Sequence, residues 1–226
     1  MKLPRITREQ ALGWIEERTG IVSWFREEVL EKRVPHYRGI MDFSGCFGGL
    51  SLVFFAVQVI TGMFLLAHYV PHPDYAYRSV QIITAEVPLG WLVRKIHATG
   101  AGFMVITMIL HVMRVFFTQA YKAPRELHWV SGVLLFGLVL AMNFTGYLLP
   151  WTQLSYWATT IATSVPEALP VIGKQVADVM RGGSALSAVT LGRFFALHVV
   201  VIPAVTAILM GGHFLMIRKT GIARPL

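Results

Sequence analysis

The chain has 226 residues, 55% of them apolar and 14% charged, with a mean hydropathy of +0.59. Soluble domains carry about a quarter charged residues, so this composition points to a membrane protein. One cysteine excludes an intramolecular disulfide framework and a multi-cysteine zinc site. The net charge of +8 does not point to nucleic acid, because the basic residues before the first apolar segment alternate with acids and suit a membrane surface.

Residues 1–42 are polar with apolar punctuation at Ile6, Leu12, Trp14, Ile15, Ile21, Val22, Trp24, Phe25, Val29 and Leu30. The spacing predicts one or two short amphipathic helices on the cytoplasmic membrane surface, and no cleavable signal peptide is evident. Residues 43–226 form the second predicted unit, a four-helix bundle. Four segments are long enough to cross about 30 Å of hydrocarbon, which takes about 20 residues. They run near Phe43–Tyr69, Trp91–Phe117, Trp129–Leu149 and Leu191–Ile217. The first link carries Pro71, His72, Pro73 and Asp74, and the second (Thr118–His128) carries Lys122, Pro124 and Arg125. The third link is the longest, broken by Pro150, Pro166 and Pro170, and predicts short interfacial helices. With both termini on one side, that side holds 14 of the lysines and arginines and the other holds 6. The positive-inside rule therefore places both termini in the cytoplasm and makes the second and fourth spans parallel.

Those two spans carry the informative residues. The second holds His97 and His111, and the fourth holds His198 and His213. Polar side chains inside a membrane are costly and face a bundle interior for a reason. Steps of fourteen and fifteen residues rise about 21 and 22.5 Å and return to within about 60° of one helix face. His97 therefore faces His198 at the outer level, and His111 faces His213 at the inner level. Two imidazoles too far apart to touch suit a six-coordinate haem iron that passes electrons. The first span has Gly48 and Gly62, and the third has Gly132 and Gly146, both pairs again fourteen apart. Glycine permits close backbone approach, here to a flat cofactor. Arg94, Arg114 and Arg218 flank the histidines and are candidates for haem propionates.

The segments GWLVRKIHATGAGFMVITMILHVMRVF, KAPRELHWVSG, GYLLPWTQLSYWA, VPEALPVIG and RFFALHVVVIPAVTAILMGGHFLMIRKTGI closely resemble the cytochrome b/b6 family over roughly residues 40–226. The fifteen-residue step in the fourth span resembles the b6 branch. The resemblance implies an all-α membrane protein that holds two haem b groups, His97 with His198 and His111 with His213. It implies a subunit of a quinol-oxidising Rieske/cytochrome b complex, inactive alone, with electrons crossing to a quinone reduction site and protons translocated. The implied partners are a Rieske iron–sulfur protein, a c-type cytochrome or plastocyanin-type acceptor, and a subunit-IV-like protein. The last would supply the Pro-Glu-Trp-Tyr motif, which is absent from this sequence. A dimeric complex in the cytoplasmic membrane is expected. By the same resemblance, Cys46 would hold an additional haem through one thioether bond, and Tyr147, Trp157 and Ala158 would wall the quinol pocket. Lys32, Arg38 and Asp42 are candidates for the inner quinone site. Two other classes are weighed beside this one. A di-haem anchor of a dehydrogenase or hydrogenase would share the histidines but not GYLLPW or PVIG. A proton-coupled transporter would show no reduced-haem band.

Overall fold

A computed structural model of the chain describes residues 7–27 and 45–221. Lys32, Arg38 and Asp42 lie outside the described residues. Two compact units divide the chain, residues 1–37 and 38–226.

In the first unit, α1 (Arg8–Thr19) begins at a capping box. The Thr7 hydroxyl accepts the Gln10 N–H, and the Gln10 side chain accepts the Thr7 N–H. Gly20, in the left-handed region at φ 61°, ends the helix. The Glu16 carboxylate then accepts the N–H groups of Val22 and Ser23, both at 2.9 Å, and so ties α1 to α2 (Ile21–Phe25). Two helices are therefore present where one or two are expected. In α1, however, Ala11, Leu12 and Ile15 share a side with Arg8 and Thr19, so apolar and polar residues separate only weakly, and no residue is buried.

The second unit contains four long apolar helices, and no strand occurs among the described residues. They are α3 (Phe47–Leu66), α5 (Gly90–Phe117), α6 (Glu126–Leu148), and a rod over Ala188–Thr220. The rod comprises α9 (Ala188–Ala196), a π-helical turn (Leu197–Val201) and α10 (Ile202–Thr220). Each has the length and composition of a membrane span. Helix is the form that satisfies every backbone group where no water is available. Exposed positions such as Met63, Phe64, Ile106, Leu134, Val200 and Ile208 are apolar, as a lipid-facing surface requires. Span α3 packs mainly on α5, and α6 on α10. Between the two pairs lies a layer of Phe55, Met104 and Val139, with Met108, Met142 and Met210 against it. Within this apolar interior the Ser51 hydroxyl donates to Thr107 at 3.0 Å, a polar tie between α3 and α5.

The connections hold more helix than the sequence signals. The first link, for which the sequence predicts no helix, carries α4 (Ala76–Ala85), which buries Ala76, Ser79 and Ile83. Tyr69, just beyond α3, donates its hydroxyl to the Leu149 carbonyl at 2.6 Å, and burial pushes its phenol above the usual range. The third link forms the expected short helices, α7 (Gln153–Ser164), a 3-10 turn (Val165–Ala168) and α8 (Gly173–Arg181). Arg181, 6% exposed, is the keystone of this link. Its guanidinium reaches Glu167 at 2.8 Å, Thr163 at 2.9 Å and the Ser184 carbonyl at 3.4 Å. Replacing Arg181 by leucine removes these charge-assisted bonds, at a cost of about 2 kcal/mol. The expected outcome is a roughly 30-fold rise in local opening, read as faster amide hydrogen exchange over residues 160–187 with the spans still protected. Exchange equal to wild type across the link would contradict the keystone role.

Candidate functional site: two tiers of intramembrane histidine

His97 and His198 make one tier, called outer here, and His111 and His213 the other, called inner. At the outer level the rings of His97 and His198 lie 6.2 Å apart between centroids and meet edge to face at 77°. At the inner level His111 and His213 line a common cavity of about 270 Å³.

The hydrogen-bond network assigns the ring hydrogens. Thr61 donates to the Val57 carbonyl at 2.6 Å, so at 2.8 Å from His97 Nδ1 its oxygen can only accept. Ser131 donates to the His128 carbonyl at 3.0 Å and so accepts from His213 Nδ1 at 2.7 Å. His198 Nδ1 lies 2.9 Å from the Met142 carbonyl, which can only accept. In all three rings Nδ1 carries the hydrogen, and Nε2 presents a free lone pair. That is the tautomer a metal ion needs, with the ring held from behind by a neighbouring helix. His111 is the exception, since its Nδ1 is buried without a partner.

The glycines are matched to the histidines one for one. A Cβ at Gly48 would meet the His111 ring at 3.0 Å, and one at Gly62 would meet His97 at 3.3 Å. A Cβ at Gly132 would meet His213 at 3.6 Å, and one at Gly146 would meet His198 at 2.5 Å. The sequence predicts clearance at these four positions for a flat cofactor. The structure places an imidazole edge against each of them. The glycines on α6 are fourteen apart, yet they face histidines fifteen apart. The π turn resolves this mismatch. The Ile202 N–H bonds to the Leu197 carbonyl, five residues back, and His198 lies within the turn. A π turn carries one residue more than an α turn, so fifteen residues there cover the ground of fourteen. Pro203 follows directly and has no N–H to give, so a regular α turn would gain nothing there.

The inner cavity holds most of the unsatisfied polarity. Among the described residues, seven buried side-chain atoms lack a partner, and five of these lie on this cavity. They are His111 Nδ1, His128 Nδ1, Arg114 Nε, Arg125 Nε and Thr206 Oγ1. Two guanidinium Nε–H groups without acceptors suit an anionic occupant such as a carboxylate. Arg114 lines this cavity, one turn after His111. Arg218 is exposed and is not among the lining residues, whereas Arg125 is. Arg94 donates to Thr84 at 3.4 Å, one turn before His97. Cys46 is exposed at the N-cap of α3, beside Gly45 and Gly48 of the cavity wall. Tyr147 and Trp157 are exposed, Ala158 is half-buried, and none of the three lines the inner cavity. Sequence reasoning missed Thr61, Arg125, His128, Ser131 and Met142.

Fold and site together define a multi-pass membrane protein built around two stacked histidine pairs. A family model described as "Cytochrome b/b6/petB" matches residues 35–221. A "Cytochrome b6" of Auxenochlorella protothecoides is 46% identical over 213 residues, covering 94% of this chain and 97% of that one. A solved structure, "Hyperthermophilic respiratory Complex III", contains a chain 36% identical with a TM-score of 0.86. That match covers 95% of this chain and 56% of the other, so this chain spans little more than half the length of that relative. The chain belongs to the cytochrome b/b6 family.

Proposed function

We propose that this chain is the electron-carrying membrane subunit of a Rieske/cytochrome b complex. In this reading quinol is oxidised near the outer surface, electrons cross the membrane to a quinone reduction site at the inner surface, and protons are translocated. The observation that carries it is the pair of facing imidazole tiers, each ring backed by a glycine and three of the four presenting a bare Nε2. These residues fit two haem b groups, His97 with His198 and His111 with His213. Bound there, the haems would supply one-electron transfer between the two faces of the bilayer.

The protein's own contribution is positional. Thr61, Ser131 and the Met142 carbonyl hold three imidazoles in one tautomer. The methionine-rich layer between the tiers excludes water. Arg114 and Arg125 offer cations to the inner propionates, with Arg218 at the surface nearby in sequence, and Arg94 serves the outer level. Cys46, at the mouth of α3, is assigned one additional haem through a thioether bond. Tyr147, Trp157 and Ala158 are assigned to the outer quinol pocket. The subunit-IV-like, Rieske and c-type partners, and a dimeric complex, belong to the same reading. The excess of basic residues on the side of the termini and the second link supports a cytoplasmic-membrane orientation with both ends inside, residues 1–42 lying on that surface and residues 43–226 forming the haem-binding bundle.

A pyridine haemochrome assay on the purified complex, with haem staining of the denatured chain, tests this. The expected result is two extractable b haems per chain, and stain that stays on the 25.2 kDa band. Cys46→Ala should abolish the stain and leave the extractable haem unchanged. No haem in the wild-type complex would overturn the reading, and stain surviving in Cys46→Ala would overturn the thioether assignment.

A further inference from the structure

A third imidazole stands at the inner tier. His128, in the first turn of α6, has its ring 6.2 Å from that of His213 between centroids, at 69°. The outer tier has no equivalent among the described residues, since the ring neighbour of His97 and His198 there is each other. We propose that His128 is a positioning residue of the inner tier, fixing the plane of the His213 imidazole and so setting the inner iron's character apart from the outer's. This inference rests on the haem reading above.

The fixing has two parts. Ser131, one turn after His128 on the same helix, accepts from His213 Nδ1 at 2.7 Å and donates to the His128 carbonyl at 3.0 Å. One end of the His213 ring is thereby tied to the backbone of residue 128. The His128 ring closes another side edge-on, so rotation of His213 about its Cβ–Cγ bond meets either a lost hydrogen bond or a ring. His128 is itself clamped. Its Nε2 lies 3.0 Å from the Thr220 hydroxyl, which donates to the Met216 carbonyl at 3.2 Å and therefore accepts from His128. Arg125 adds a second tie to the same residue, donating to the Thr220 carbonyl at 3.3 Å. Thr220 lies two turns beyond His213, so α10 is held at the ligand by Ser131 and again two turns further on by His128. The arrangement leaves His128 Nδ1 as a buried, unpartnered acceptor beside the cavity. A buried imidazole without its full complement of bonds costs stability, and its place beside a ligand ring gives it a use. Ligand orientation and polarity just behind the ligand are two of the protein's means of tuning a haem iron.

The test uses the assembled complex, with the inner signals identified by their loss in His111→Ala. His128→Leu is expected to retain both b haems, to shift the inner low-spin electron paramagnetic resonance signal and the inner redox wave, and to leave the outer ones unmoved. His128→Phe restores a flat ring beside His213 and should bring the inner signal back toward wild type. If the leucine variant does not assemble, His128→Gln, which keeps a donor for Thr220, carries the same comparison. An inner signal unchanged in a loaded Leu or Gln variant overturns the proposal, and so do inner and outer signals that move alike. A wild-type complex with no bis-imidazole signal would instead sink the haem reading itself.

Discussion

Replacing Gly146 by alanine is expected to strip the outer haem as completely as replacing His198 itself, while the inner haem stays. The added methyl would lie 2.5 Å from His198 Cε1 and 2.9 Å from Nδ1. Real Cβ contacts do not come so close, so the ring must leave. Its tether prevents a cheap escape, because Nδ1 is bonded to the Met142 carbonyl at 2.9 Å, and moving the ring forfeits that bond in an apolar interior. The same substitution at the other three positions should follow the clearance at each. Gly48→Ala, at 3.0 Å from His111, should weaken the inner haem, and its ring gives more readily because His111 Nδ1 has no partner to lose. Gly62→Ala at 3.3 Å should weaken the outer one modestly, and Gly132→Ala at 3.6 Å is ordinary contact and should be silent. The reduced-minus-oxidised spectrum of each purified variant measures this directly. An outer band at full strength in Gly146→Ala, or a silent Gly146 beside a damaging Gly132, would show that the glycines do not act through the imidazoles.

That ranking could not be read from the sequence, although the four glycines could. The fourteen-residue interval is visible in the chain, because helical rotation brings such residues back to one face. The four spans were legible for the same kind of reason, since their length and lack of charge leave few alternatives. What stayed hidden depends on the exact start of an element. The predicted third span begins at Trp129, which leaves His128 in the preceding link. The helix begins at Glu126, and those three residues bring His128 within the first turn, one turn before Ser131. Thr61 and Met142 were illegible for a different reason. A threonine hydroxyl or a backbone carbonyl in a membrane helix carries no mark that it will hold a histidine, and most such hydroxyls simply bond back to their own helix, as Thr107 and Thr118 do. Helix α4 was missed because the prolines before it dominate the local signal, while its buried side, Ala76, Ser79 and Ile83, is too short to stand out. The inner cavity is an intermediate case. Arg114 could be anticipated from its place one turn after His111, whereas Arg125 is eleven residues further on, and only the fold brings it to the same wall.

The fifteen-residue step carries the second large expectation. Deleting Val200 together with Pro203→Ala should leave both haems in place, although it removes a residue from the middle of a membrane span. Inserting one alanine after Val200 should cost one of the two haems entirely. The asymmetry follows from the π turn. His198 and His213 face glycines fourteen apart only because the turn at Leu197–Val201 absorbs one residue. Deletion converts that turn to an ordinary α turn, and fourteen regular residues return to nearly the same face, as they do from His97 to His111. The Pro203→Ala change supplies the N–H that a regular turn needs there. Insertion leaves two surplus residues with one turn to absorb them. The remaining surplus rotates His213 by about 100° and advances it about 1.5 Å relative to His198, so both cannot meet their partners. Extractable haem per chain in the two variants separates the outcomes. Loss of a haem on deletion, or two haems retained on insertion, would mean that the helix adjusts its register elsewhere and that the π turn does not set the interval between the tiers.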